Sequence, residues 1–597
     1  RLKRAAPGAE GLVVDHLDPA AMGFFLSRFD SLLTLIKKEK LPLRAIFNDS
    51  YEVYGADWTR DFKNLFRERM GYDFPEDFLF REEYDSIDLG YWQDYHLMIN
   101  DLVRVTVGDV ISNWCKKHKV LYRYQAHGAP SNLLDLYGDA SIPETECFGS
   151  SKFNIPLVDY DLDYNEDQFA RPHPLIYKFA SSPAHILGKP LVSSETGTWL
   201  ADHFKVSLSQ VKPQIDELFV SGINHIFYHG IPYSPFENGF PGRQFYASTN
   251  FGPNSALWDY MDNLNEYIRN CQLMLQNTVP DNDILLYYPV YDLWHNKGFD
   301  GNLIMQSVHN PDSWLFESPF GKLAQSLLDW GYAFDYISDE QIELLAMNPD
   351  DIPANYKVLI IPPARFMPVD SFHFLALLQN KGMKVVFLEK IPSMRPGVKS
   401  NEGDPEIDEG PEIEGDLEID EGPEIDRDPD IDEGPMFDED RPGIDFPVPV
   451  SGDFNSISNT LADYNIWPEI FPAKGLQYIR KAHKDGYVYL ITNLDSIGFD
   501  GYCPLARAFK SAEIYDPLSE RRGKARLGKS EESGQVRLQI EAGQSIFLIT
   551  YNYSIDEENW VYHGEKKDAI DLNTDWTLQI EDPGNDYYLK DHILDSL

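Results

Sequence analysis

Cationic residues are scarce in this sequence of 597 residues: 52 Lys and Arg stand against 97 Asp and Glu, a formal charge of −45. So acidic a surface repels phosphate backbones and anionic headgroups, which argues against nucleic acid and anionic membranes as partners. The charge is uneven, because residues 401–440 hold twenty Asp or Glu and one Arg. No apolar run reaches ~18 residues, so no membrane span is expected. The four cysteines, Cys115, Cys147, Cys271 and Cys503, fall in no CxxC or zinc spacing, and no disulfide framework is indicated. Gly-x-Ser-x-Gly, a P-loop and a strand-following GxGxxG are missing, which removes the usual esterase and nucleotide-binding signals. HExxH is missing too, which counts against zinc. No secretory signal is visible. The sequence opens at Arg1 without Met and meets an apolar run almost at once, so a missing N-terminal portion is expected and the compartment is left open.

What is present is hydrophobic and aromatic. Aromatics make up 13 %, with 34 Tyr and 11 Trp. Such rings fill large cores, and they also stack on sugars, being apolar platforms with polar tips. Apolar runs read as strands at Gly11 to Leu17, Leu43 to Asn48, Val120 to Gln125, Ser141 to Glu146, Pro190 to Glu195 and Asn224 to His229. Helical periodicity fills the gaps, at Asp57 to Met70, Leu97 to His118 and Val211 to Ser221 among others. This alternation predicts an α/β fold with a parallel sheet, a (β/α)8-type barrel lacking its first strands, over residues 1–279. A small α/β domain follows at 280–460, with strands near Asp283 to Tyr287, Tyr332 to Tyr336, Val358 to Pro362 and Lys384 to Leu388. It is interrupted at 400–447 by acidic Glu-Ile-Asp-Glu-Gly-Pro repeats, too charged and proline-rich to compact. Short strands and turns over 461–597 predict an all-β, sandwich-like module, with Trp576 to Ile580 opening a further β unit.

In such a barrel, catalytic groups stand where strands end and loops begin. Glu52, Glu144, Glu146 and Glu195 lie at those places, as do Asp15, His16, Asn48, His127, Tyr228 and His229. Glycosidic bonds are cleaved by two carboxyl groups, one an acid toward the leaving oxygen and the other a base or nucleophile. The four glutamates are therefore the candidate catalytic groups, and their oxygens could also hold calcium. Trp199, four residues past Glu195, is the best candidate sugar platform, with Trp58, Trp92, Tyr228 and Tyr233 as further candidates; the helical spacing of Trp58 favours a core role.

Several of these stretches resemble a known family. Val13-Val14-Asp15-His16-Leu17, Asn48-Asp49-Ser50-Tyr51-Glu52, Ser194-Glu195-Thr196-Gly197-Thr198-Trp199 and Phe227-Tyr228-His229-Gly230-Ile231-Pro232-Tyr233-Ser234 are similar to glycoside hydrolase family 106, the α-L-rhamnosidases. Ile360-Ile361-Pro362-Pro363-Ala364-Arg365-Phe366-Met367-Pro368 is similar to a linking strand of its second domain. The resemblance runs over roughly residues 10 to 395. It implies an inverting hydrolase acting on a rhamnose-containing glycan or glycoside, periplasmic or secreted. It also implies a calcium ion near the bound sugar, with Glu52 as acid, Glu195 as base, and Glu144 or Glu146 in the calcium and sugar-binding shell. A retaining β-galactosidase-like barrel and a non-catalytic sugar-binding protein are the alternatives.

Overall fold

The computed structural model describes residues 7–53, 55–80, 86–158, 163–165, 170–298, 303–348, 355–398, 454–528, 534–564, 576–578 and 592–594. Its first sheet has five parallel strands in chain order: β1 (Ala45–Asn48), β2 (Leu121–Tyr124), β3 (Ile142–Phe148), β4 (Ser193–Thr198) and β5 (His225–Tyr228). Helices Ile111–His118, Leu133–Asp139, Pro174–Ile186 and Leu208–Val220 precede β2 to β5 in turn. Each helix crosses back over one face of the sheet, so consecutive strands run parallel. The result is a curled half-barrel wall.

Pleating sends alternate side chains to opposite faces. On the helix-covered face, Tyr122 and Tyr124 are fully buried and stack with ring centroids 5.3 Å apart, and Cys147 is fully buried. The other face carries Phe47, Arg123, Gln125, Glu144, Glu146, Ser193, Glu195 and Phe227. Register explains their company, since Glu144 lies opposite Ser193, and Glu146 opposite Glu195, which in turn faces Phe227. The Arg123 guanidinium is sandwiched between Phe47 (4.0 Å) and Phe227 (3.6 Å). A cation so placed is held by the negative faces of both rings.

The sixth strand expected at Gly11 to Leu17 does not form. That stretch is irregular, because a short apolar run without a neighbour has no ladder to join. Asp15 instead accepts from the Leu17 backbone (2.9 Å) and the Thr59 hydroxyl (2.8 Å). The helices also start late or break: Pro19–Ser27 and Asp30–Lys38 are separate, and Phe62–Met70 begins five residues after Asp57.

A second parallel sheet is built from β7 (Ile284–Tyr287), β8 (Phe334–Ile337), β9 (Val358–Ile361) and β10 (Lys384–Phe387), in the order β10-β9-β7-β8. β7, β8 and β9 are buried throughout, as strands covered on both faces must be. The third sheet is antiparallel and includes β11 (Gln477–His483), β12 (Gly486–Thr492) and the strands Ser511–Tyr515 and Ser545–Tyr551. A short strand from the link between the first two sheets, β6 (Val279–Pro280), pairs with β11 and ties the units together. The acidic segment 400–447 lies outside the described residues. Of the expected terminal unit, Trp576–Leu578 pairs with His592–Leu594; residues 579 and 580 lie outside the described residues. Among the described residues no helix is long and apolar enough to cross a membrane. All four cysteines are buried and free.

Candidate active site

Glu195 is the residue around which the inner face closes. Gln125 Nε2 donates to its Oε2 (2.8 Å) and the Thr198 hydroxyl to its Oε1 (2.9 Å). His229 Nδ1 stands 3.3 Å from Oε1. Burial pushes the Glu195 carboxyl above the ordinary glutamate range, and the facing Glu146 pushes it further, against the opposing pull of His229, Gln125 and Thr198. Beneath it, Glu144 is fully buried and accepts from Ser193 (2.6 Å) and from the same Gln125 nitrogen (3.1 Å). Arg123 Nε lies 3.0 Å from Glu144 Oε2, an ion pair without hydrogen-bond alignment. Burial nevertheless wins and raises the Glu144 carboxyl to about 7. Glu146, also raised chiefly by burial, pairs with His127 Nε2 at 3.1 Å.

His127 is buried, which lowers its pKa to about 4 even though Glu195, Asp49 and Glu52 oppose the shift. A neutral ring carries one proton. Glu146 can only accept while ionised, so Nε2–H donates to it and Nδ1 receives the Tyr137 hydroxyl at 2.9 Å.

The loop after β1 brings Glu52 to this group. Tyr51 N donates to His127 O (3.1 Å), and at Gly128 (φ +82) a side chain would strike Tyr51 O, 2.7 Å from where its Cβ would stand. Only glycine allows the two loops to approach so closely. Glu52 is exposed, and its charge is felt at both Asp49 and His127. Asp49 reaches solvent on one side. Desolvation on the other side and the charge of Glu195 raise its carboxyl. Asp15 and His16 stand behind this loop, with the His16 ring edge-on to Tyr51 at 5.6 Å and its Nδ1 against Val14 O. They pack against the loop that carries Glu52.

Two expected contacts lie elsewhere. Asn48 donates to the Tyr122 hydroxyl (3.0 Å), and Tyr228 donates to Asn265 (2.9 Å) and packs on Phe251. Both have the pleat parity of the helix-covered face, away from Glu195. Trp199 directly follows β4. A register shift between Cys147 and Phe148 re-aims Phe148, as bulges do. Rings then follow one another along the rim: His309 to Phe148 (4.0 Å), Phe148 to Trp199 (6.0 Å), Trp199 to Tyr246 (5.7 Å), Tyr246 to Phe245 (4.9 Å) and Phe245 to His229 (5.2 Å). Phe245 and Tyr246 are exposed. Trp58 is 39 % exposed and packs on Phe62 and Phe74, at the surface edge of the core rather than inside it.

The residues present do not fit a calcium ion at Glu144 and Glu146. Calcium takes six to eight oxygen ligands. Glu144 is enclosed by donors, namely a guanidinium, an amide and a hydroxyl, and Glu146 faces imidazole. Among the described residues no three His, Cys, Asp or Glu gather to hold a metal.

Asp49, Arg123, Gln125 and His309 belong to the site without having been singled out in the sequence. Arg123 and Gln125 share the parity of His127, and that alternation was the available signal. His309, Phe245 and Tyr246 arrive from distant loops and gave none.

The sequence pattern of the glycoside hydrolase 106 family, described as alpha-L-rhamnosidase, matches residues 2–297. A rhamnosidase structure from Novosphingobium sp. PP1Y superposes with a TM-score of 0.70 at 16 % identity, covering 100 % of this chain and 53 % of that one. A β-galactosidase from Bacillus circulans sp. alkalophilus superposes with a TM-score of 0.54 at 12 % identity, covering 90 % and 83 %. At those identities the likeness is one of fold. A putative beta-glucuronidase of Formosa agariphila is 21 % identical over 399 residues, 64 % of this chain and 30 % of the relative. The chain thus spans about half the length of the rhamnosidase and less than a third of the curated relative. Through residues 2–297, which include the first sheet and most of its site, the chain belongs to the glycoside hydrolase 106 family of α-L-rhamnosidases.

Proposed function

We propose that this chain removes terminal α-L-rhamnosyl units from a glycan or glycoside by hydrolysis with inversion. The observation that carries the reading is the setting of Glu195: a desolvated carboxyl inside β4, an interior strand of the sheet, fixed through both oxygens, within a rim of aromatic rings. Each oxygen receives one protein donor and keeps a lone pair for water. Glu195 takes a proton from water as the water oxygen bonds to the anomeric carbon. The bond to the leaving oxygen breaks, and that oxygen takes a proton from Glu52. Its exposed position after β1 suits a group that must meet the aglycone side. His127, neutral and donating to Glu146, keeps that carboxyl turned from the reaction. Trp199, Tyr246 and Phe245 supply apolar faces for the sugar and its neighbour. No step runs through a metal.

Inversion needs room for the water between the two carboxyls, about 6.5–9.5 Å. One observation favours a second reading. Glu146 lies directly across from Glu195, and a retaining enzyme holds its pair only about 5 Å apart. Proton NMR of the first-formed sugar from p-nitrophenyl α-L-rhamnoside separates the two. Inversion gives the β-anomer first, followed by mutarotation, whereas α-anomer first would move the nucleophile's role to the Glu146–Glu195 pair.

A further inference from the structure

Gln125 is enclosed beneath the site, with no exposed surface, and it is spent unusually. One amide nitrogen serves two carboxylates on neighbouring strands, Glu144 Oε1 at 3.1 Å and Glu195 Oε2 at 2.8 Å. Among the described residues, the carbonyl oxygen of the same amide accepts from no donor. An unpaired buried acceptor costs about 1–3 kcal/mol, and an apolar residue of similar shape at such a place is often neutral or better for stability. Stability alone therefore does not explain an amide here.

The nitrogen's two partners explain it. Glu144 is anchored from below, by Ser193 at 2.6 Å and by an Arg123 guanidinium clamped between two rings. Gln125 transmits that anchorage upward to Glu195, whose other oxygen is set by Thr198. Without the amide, Glu195 keeps one tether and is free to turn about it. The two N–H bonds also favour the ionised form of the carboxyls they meet.

We propose that Gln125 is the positioning residue of the base: it fixes the Glu195 carboxylate in its working orientation and holds it ionised. The inference rests on Glu195 being the base. The titratable and charged groups facing this amide and its two partners are Arg123 on its own strand, Glu144 and Glu146 on β3, and Glu195 on β4. Those beyond the strand ends are His229, His127, Asp49 and Glu52.

The test compares Gln125→Met, near in shape and without the donors, with Glu195→Gln and the unaltered chain, all on p-nitrophenyl α-L-rhamnoside across pH. Loss of one hydrogen bond to a charged group predicts a kcat lower by about 10- to 100-fold in Gln125→Met. KM stays within about threefold, the Tm falls by no more than about 4 °C, and the acidic limb of kcat/KM moves to higher pH. The sign follows from the chemistry, because the base works deprotonated and losing a donor to its anion raises its pKa. Carboxyl 13C titration of Glu195 in Gln125→Met and in the unaltered chain reads the same shift without turnover. A kcat and acidic limb unchanged in Gln125→Met, while Glu195→Gln is inactive, overturns the positioning role and spares the base. Full activity in Glu195→Gln overturns both. A Gln125→Met chain that loses kcat only in proportion to its folded fraction shows a structural residue and also overturns the proposal.

Discussion

Arg480 is enclosed where β11 meets the second sheet, and it touches three carboxylates: Asp281 at 2.5 Å, Asp283 at 2.8 Å and Glu469 at 3.0 Å. Arg507 adds bonds to Asp281 (2.9 Å) and Asp283 (2.8 Å), and Lys357 reaches Asp283 at 2.8 Å. Burial pushes the Asp283 carboxyl up, but Arg480 and Arg507 outweigh it and the net shift is downward. The inner face of the half-barrel is also crowded with carboxyls, yet among the described residues its guanidinium partner is Arg123, beside Glu144, and the rest meet amides, hydroxyls and imidazoles. There Glu144, Glu146, Glu195 and Asp49 all shift upward. Both groups are buried in large part, so burial is not what separates them. Matched cations make one a clasp between domains, and the shortage of cations leaves the other able to exchange protons.

Breaking the clasp carries the largest expected effect on stability. Arg480→Met leaves buried carboxylates without their main partner, and chemical denaturation is expected to show a loss of about 3–5 kcal/mol. The next comparison turns on sign. Asp283→Asn gives up charge-assisted bonds and is expected to lower stability by about 1.5–3 kcal/mol, whereas Glu195→Gln removes a strained carboxyl and leaves the Tm equal or higher at neutral pH. A lower Tm in both variants would erase the distinction drawn here.

pH dependence sharpens the same contrast. The folded pKa of Asp283 lies below its unfolded value near ~3.9, so its contribution is complete above that pH and is lost as acid reaches the depressed value. The folded pKa of Glu195 lies above its unfolded value near ~4.3, so stability falls as pH rises from there through the raised value. Acidifying from pH 7 to pH 5 is therefore expected to raise the Tm of the unaltered chain more than that of Glu195→Gln, as calorimetry can read. The smallest effect belongs to the rim. Phe245→Ala is expected to raise KM by about 2- to 10-fold, the worth of one aromatic contact, with kcat and Tm held.

How much of this was legible in the sequence follows the strength of each local signal. The strands that carry Glu144, Glu146 and Glu195 are legible in place but not in bounds: Ser141 to Glu146 and Pro190 to Glu195 are expected to end on glutamate, whereas the strands run Ile142–Phe148 and Ser193–Thr198 and hold all three glutamates inside them. The stretch at Gly11 to Leu17 read as a strand because composition does not disclose whether a neighbour exists to pair with. Asn48 and Tyr228 end their strands, and the pleat turns them to the face opposite Glu195; a strand's place in the chain was legible, and the face of each residue was not. Gln125 and Arg123 were overlooked because an amide or a guanidinium inside a short strand carries no motif. The Arg480 clasp was invisible, its members lying at 281, 283, 469, 480 and 507 and meeting only when β11 docks.

The most direct test is turnover of p-nitrophenyl α-L-rhamnoside by Glu195→Gln and Glu52→Gln beside the unaltered chain, with the Tm recorded for each. Removing a general base or acid predicts losses of about 10²–10⁴-fold in kcat/KM for both variants, at a Tm no lower than that of the unaltered chain for Glu195→Gln. Turnover by Glu195→Gln equal to that of the unaltered chain would contradict the account at its centre.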